Sequence, residues 1–310
     1  MDNKKAQLQI SFAWLFAIIV GAFILFLAIY GVTQLIRTGE TATSAQTGAE
    51  IGVLLNPLET GFETSRTTLL TMPVNTRIHN RCLVDSGNFG RQIIQLSQIS
   101  FNRWTETDID IGFTNKYLFS DSIVEGKTFL LFSKSFDFPF KVSDVIYVTS
   151  AEKSYCFVDA PSRLENELTD LNQENILLDN CSENENSIKV CFSAFGSDCD
   201  IRVNEALKSV EKRGETLYYE TDALLYGAIF ADSEIYECQT QRLIQRAEQI
   251  TLLYSDKTQI QSFQGCQADV NLASFSNSLS SYRSSSDLIF SSEIARTIDA
   301  QNRVAECELW

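Results

Sequence analysis

Residues 10–31 read ISFAWLFAIIVGAFILFLAIYG, and the run without a charged side chain extends from Ala6 to Ile36. A helix on the surface of a soluble domain needs a polar face, and this one has none. At about 1.5 Å rise per residue, residues 10–36 as a helix reach roughly 40 Å, enough to cross a hydrocarbon core of about 30 Å with tilt. The stretch is therefore read as a transmembrane helix over 10–36, with the lipid bilayer as its partner. Everything after it becomes a separate folding problem. Lys4 and Lys5 precede the span against one acid, Asp2. The positive-inside bias then places residues 1–9 in the cytoplasm and the C-terminal domain outside. The apolar run is far longer than a secretory signal core of about 7–15 residues, and no small-x-small site closes it, so it is read as retained.

The acidic excess of the chain, a formal net charge of −15, lies wholly beyond the helix. Such a surface repels phosphate backbones, so nucleic-acid binding is excluded as a role, and the charge serves solubility. All eight cysteines also lie beyond the helix, from Cys82 to Cys307. An even count on the non-cytoplasmic side reads as disulfides. There is no C-x-x-C pair and the single histidine is His79, so no metal site and no cofactor are expected. Cys191 and Cys199 flank FSAFGSD, read as a hairpin tip containing Gly196. Cys266 and Cys307 are expected at one end of an antiparallel helical pair. The remaining four are assigned as Cys156–Cys181 and Cys82–Cys238 without a geometric argument, out of the 105 full pairings that eight cysteines allow.

Working outward from the span, residues 37–67 are rich in Thr, Ser, Ala and Gly and are read as a juxtamembrane stalk, with Asn56-Pro57 as a break. Residues 68–231 read as a β-rich ectodomain with one helix. LLTMPVNTRIHNRCLV, RQIIQLSQISF, DIDIGF and KYLFS carry strand patterns, followed by the run TFLLFSKSFDFPFKVSDVIYV. Phe136, Phe138, Phe140 and Val142 alternate at period two and so face one core. Pro139 between them suggests an edge strand or a bulge. KSYCFV is a strand, and PSRLENELTDLN a helix with Pro161 in its first turn. SIKVCFSA, CDIRV, ETLYYE and ALLYGAIF complete the strands. Residues 232–310 switch to helix. One runs from a cap at Asp232 or Ser233 to about Tyr254, with Ile235, Leu243, Ile244, Ala247, Ile250 and Leu253 on its apolar side. Two more span about 268–282 and 287–305. The fold class is α+β: an N-terminal transmembrane helix, a disulfide-stapled β-rich ectodomain, and a C-terminal helical hairpin or three-helix unit packed on it.

Few residues suggest chemistry. Leu83-Val84-Asp85-Ser86-Gly87 has the form of an aspartic-protease catalytic loop, and Asp85 is the candidate for that role. The chemistry needs two carboxylates sharing a proton. Asp121-Ser122 and Asp232-Ser233 lack the glycine of a second loop, and Asp-Ser-Gly is also an ordinary turn. His79 is the sole candidate imidazole base, and no G-x-S-x-G elbow accompanies it. The acidic groups Glu106/Asp108/Asp110 and Asp179/Glu183/Glu185 do not follow a calcium-loop spacing and are read as solvated surface. Asn180-Cys181-Ser182 fits the glycosylation pattern.

The stretch Lys4-Lys5-Ala6-Gln7-Leu8-Gln9-Ile10-Ser11-Phe12 resembles archaeal class III, type IV prepilin-like signal sequences. The resemblance implies a cut between Ala6 and Gln7 with the apolar helix kept on the mature protein. The acid that many bacterial pilins carry near the mature N-terminus is missing. Gly39, Gly48, Gly52, Pro57 and Gly61 interrupt the region where pilins extend their first helix. The stretches YCFV, VCF and CDIRV, with AIFADSEIYECQTQRLIQR, resemble uncharacterised archaeal membrane-anchored surface proteins, which implies shared architecture and no activity. The chain is thus expected to be a single-pass membrane protein with a non-enzymatic adhesion, binding or envelope-structure role and a possible protein partner or self-association. A pilin-like filament subunit and an ectodomain hydrolase at Asp85 stand as alternatives.

Overall fold

The computed structural model describes residues 14–34, 67–84, 89–100, 103–106, 110–179, 181, 186–192, 198–266 and 270–310. Residues 1–9 with the Ala6–Gln7 junction, nearly all of residues 37–67, Asp85, Asn180 and Gly196 lie outside the described residues. So do Asp108, Glu183 and Glu185 of the acidic groups.

The first compact unit is residues 1–47, and its described part is helix α1, Trp14–Gln34. Its 21 residues are long and apolar enough to cross a membrane, and the apolar window is 0% buried within the protein. Trp14, Phe16, Phe23, Phe26 and Tyr30 all stand exposed.

Residues 48–310 form the second unit. Its first sheet has seven strands, ordered β3-β2-β1-β6-β7-β5 with β4 also paired to β2. These are β1 (Thr67–Leu83), β2 (Arg91–Ser100), β3 (Arg103–Glu106), β4 (Ile111–Phe113), β5 (Leu118–Phe119), β6 (Ile123–Asp137) and β7 (Lys141–Ser150). All pairings are antiparallel except β5 with β7. The β1–β6 register slips between Thr71 and Thr76, and Pro73, which has no N–H to donate, falls in that slip. Alternation divides the side chains between two cores. Met72, Ile78, Ile94, Leu96, Phe129, Leu131, Ile146 and Val148 fill the smaller one. Phe119, Phe132, Phe136, Val145 and Tyr147 point into the larger one.

The second sheet has six strands, ordered β13-β12-β11-β10-β8-β9. They are β8 (Tyr155–Val158), β9 (Ile176–Leu178), β10 (Ile188–Cys191), β11 (Ile201–Asn204), β12 (Ser209–Lys212) and β13 (Glu215–Tyr218). The helices are α2 (Ser162–Leu171), α3 (Asp222–Phe230), α4 (Ser233–Phe263), α5 (Leu272–Ser280) and α6 (Leu288–Val304). The α+β class expected from the sequence is the observed one, with sheets in the middle and helices at the C-terminus. One apolar core joins both sheets to α2–α6.

Four local readings change. ALLYGAIF is not a strand but the body of α3, so residues 68–231 hold two helices. Thr221 caps α3, its side chain accepting from Leu224 N, and every residue from Ala223 to Phe230 is buried. A helix surrounded on all sides has no polar face, so its period is hidden. Second, β10 and β11 pair in parallel, so Cys191 and Cys199 bracket a crossover rather than a hairpin. Third, Pro139 is not in an edge strand. It lies in the turn joining β6 to β7, beside a register irregularity at Phe136/Asp137, and β6 is flanked by β1 and β7. The turn carries Phe138 and Phe140 onto the helices, Phe138 5.7 Å from Phe275 and Phe140 4.9 Å from Tyr254 and 5.4 Å from Trp310, ring centre to ring centre. Fourth, α4 runs nine residues past Tyr254, to Phe263, and Leu253 is 67% exposed rather than part of the core.

The cysteine pairs are Cys82–Cys238, Cys156–Cys181, Cys191–Cys199 and Cys266–Cys307, with Cα separations of 6.0, 5.6, 6.0 and 6.1 Å. They span 156, 25, 8 and 41 residues, and no cysteine is left free.

Candidate functional site

His79 sits half-buried on β1, opposite Gln95, and its Nε2 meets the Ser97 hydroxyl at 2.7 Å. Ser97 is 1% exposed, so this pair does not present a hydroxyl to a substrate. On either side Arg77 pairs with Glu125 and Arg81 with Asp110. Among the described residues no three His, Cys, Asp or Glu side chains form a metal-sized group.

Two clusters emerge that the sequence reading passed over. The first surrounds Arg242, on the inward side of α4 and 0% exposed. Its Nε donates to Phe89 O at 2.8 Å, Nη1 to Lys116 O at 2.9 Å and Gln239 Oε1 at 2.7 Å, and Nη2 to Thr114 O at 3.0 Å. Gln239 in turn donates to Gln92, Gln92 to Asn80, and Asn80 Nδ2 to the Ser120 hydroxyl at 2.7 Å. The guanidinium satisfies carbonyls that the short, irregular β4–β5 segment leaves without ladder partners. Burial pulls its proton affinity down to about 10, so it stays charged at neutral pH. Gly90, at φ +61°, lies against it, and a Cβ there would come within 2.3 Å of Leu83 O. This network ties β1, β2 and the 113–118 segment to α4, beside the Cys82–Cys238 bridge.

The second cluster is a cleft of about 350 Å³ where the turns of the first sheet meet the second sheet. It is lined by Asp121, Lys153, Tyr155, Lys212, Arg213 and Asp232 among others. Most of its charges are matched internally: Lys153 pairs with Asp121, and Arg213 with Asp232 at 2.8 Å. Asp232 also accepts from Ser122 N and Oγ, both at 2.7 Å, and these contacts hold its carboxyl below the usual range despite partial burial. Lys212 differs. It ends β12, is 8% exposed, and donates to Ala231 O and to Ile229 O (3.5 Å) at the end of α3. A cation there complements the negative end of the helix. The neighbouring acids and bases largely offset each other, so burial dominates and pushes the amine down to about 8. The inward position of Lys212 follows from strand alternation with buried Val210, a signal present in the sequence.

Compared with protein families, curated proteins and solved structures, the chain shows no match.

Proposed function

We propose that the protein is a single-pass, membrane-anchored surface protein whose disulfide-stapled ectodomain has a non-enzymatic adhesion, binding or envelope-structure role outside the cytoplasm. The observation that carries the reading is α1: a 21-residue helix whose apolar window is exposed along its whole length. An oxidising compartment is the natural setting for four disulfides, which supports the same side for the second unit. The acidic surface fits a domain kept in solution above the bilayer.

The test uses the full chain expressed in cells. Alkaline carbonate should leave it in the membrane pellet. Alkylation before any reduction should find no thiols, and protease added outside should remove the C-terminal unit. Extraction into the supernatant or eight alkylated cysteines would overturn the reading. The mass of the mature N-terminus decides between its forms: Lys4-Lys5 retained fits an anchor, and a start at Gln7 points to a prepilin-like subunit.

A further inference from the structure

We propose that Lys212 is a covalent acceptor for small aldehydes, its Nζ adding to the carbonyl carbon inside the cleft that it lines. The proposal is independent of the anchor reading. Three features of the geometry support it. The cleft holds about 350 Å³, at the small end of ligand-sized cavities. Lys212 reaches it from β12, with its hydrogen-bond partners, Ala231 O and Ile229 O, on the α3 side. A neutral amine giving its two N–H bonds to those carbonyls leaves its lone pair directed away from the helix end. The third feature is the surroundings. Asp121 from the β5–β6 turn, Lys153 after β7, Tyr155 on β8, Asp200 before β11, Arg213 after β12 and Asp232 at the start of α4 face the cleft. Burial pushes the Tyr155 phenol well up, so it remains an O–H donor for a carbonyl oxygen, and the negative charges of Asp121 and Asp232 act on the amine from the same cleft.

The step balances without a further reagent. The Nζ lone pair forms the C–N bond, and the carbonyl π pair moves to oxygen. The oxygen takes up protons and leaves as water, so amine, aldehyde and one proton give iminium and water. The iminium keeps one N–H, for which Ala231 O is the acceptor. The amine pushed down to about 8 supplies far more of the reactive neutral form near neutrality than an exposed lysine does.

The experiment treats the oxidised full chain in detergent micelles with propionaldehyde and cyanoborohydride from pH 7 to 9, followed by peptide mapping. Lys212 should carry the propyl group at least about tenfold faster than exposed Lys127 or Lys141. Its rate should level off above pH 8 while theirs continues to climb. Lys212→Arg, which keeps a cation facing the α3 carbonyls, should abolish the fast phase and leave the slow sites unchanged. Lys212 unmodified while exposed lysines react, or a rate at Lys212 that follows theirs with pH, would overturn the proposal, and both are read on the unmutated chain.

Discussion

Helices α1 and α3 are both apolar on every side, yet they end in opposite surroundings. In α1 the side chains from Trp14 onward are exposed, and in α3 Ala223 to Phe230 are all buried. The absence of a polar face says that a helix needs an apolar environment all round. It does not say whether protein or lipid supplies it. The two also differ in length: nine residues of α3 cover roughly 13 Å, and the 21 of α1 roughly 31 Å, the thickness that the proposed anchor reading needs. The surroundings of α3 are specific. Tyr226 and Phe230 meet Phe132 edge-on at 5.7 and 5.8 Å, and Tyr147 Oη donates to Ala223 O at 2.6 Å. A lipid environment makes no such demands, so the two helices should answer identical substitutions differently.

The sharpest contrast is a buried charge. Leu225→Arg in α3 leaves a guanidinium without a partner in the main core, and a loss of more than about 4 kcal/mol is expected, enough to abolish cooperative unfolding of the second unit. On the proposed anchor reading, Leu25→Arg in α1 should cost about 3 kcal/mol of membrane insertion and leave that unfolding transition unchanged. Thermal melts in micelles and carbonate extraction read the two effects separately; equal melts for both variants would erase the distinction. Next comes a single methyl group. A Cβ at Gly227 would lie 2.7 Å from the Phe119 ring, whereas Gly21 has nothing within 4 Å. Gly227→Ala should destabilise by about 1–3 kcal/mol through overpacking, against the helix-propensity gain, and Gly21→Ala should be silent. A Gly227→Ala protein as stable as the parent in urea would show that Phe119 can yield.

The smallest effect is alkaline, and it belongs to the cap of α3. Lys212 titrates at about 8 when folded and near 10.5 when unfolded. Between these values the unfolded chain binds more protons, so stability rises with pH, by about 1.5 kcal/mol from pH 8 to 9.5. Above pH 10 the trend reverses, because burial keeps Tyr219 protonated up to about 12 and Tyr226 and Tyr147 higher still. Urea midpoints across pH 7–11 should therefore pass through a maximum. In Lys212→Met the rising limb should disappear, while a parent protein flat from pH 8 to 9.5 would contradict the assignment.

What was legible in the chain follows from where residues face two environments. The strands of the first sheet and the apolar side of α4 alternate between core and solvent or between two cores, and their periods survive in the sequence. α3 faces one environment everywhere, so ALLYGAIF carries no period and its β-branched and aromatic content mimics a strand. The crossover from β10 to β11 was hidden because two cysteines around a glycine fit a hairpin as well as a parallel pair. Arg242 and Lys212 were overlooked for a different reason. Each occupies an inward position by its element's own period, Arg242 seven residues after Ile235 and Lys212 two after Val210. A charged side chain at such a position is the signal, but what it meets depends on the carbonyls of distant segments, 113–116 and 229–231. Asp85 was singled out by a local motif, and a local motif does not report which second carboxylate stands opposite.

The placement of the four bridges has a mechanical consequence. Tension entering the folded unit at Thr67 pulls on the first residue of β1, and peeling that strand can release chain only as far as Cys82, roughly 50 Å of slack. From there the load crosses the Cys82–Cys238 bond into α4 and reaches the C-terminal end through Cys266–Cys307. Residues 83–237 and 267–306 lie off that route as closed loops. A domain cross-linked in this way can lengthen only through residues 67–82, the α4 stretch 238–266 and the last few residues, and then holds, whatever the force pulls against.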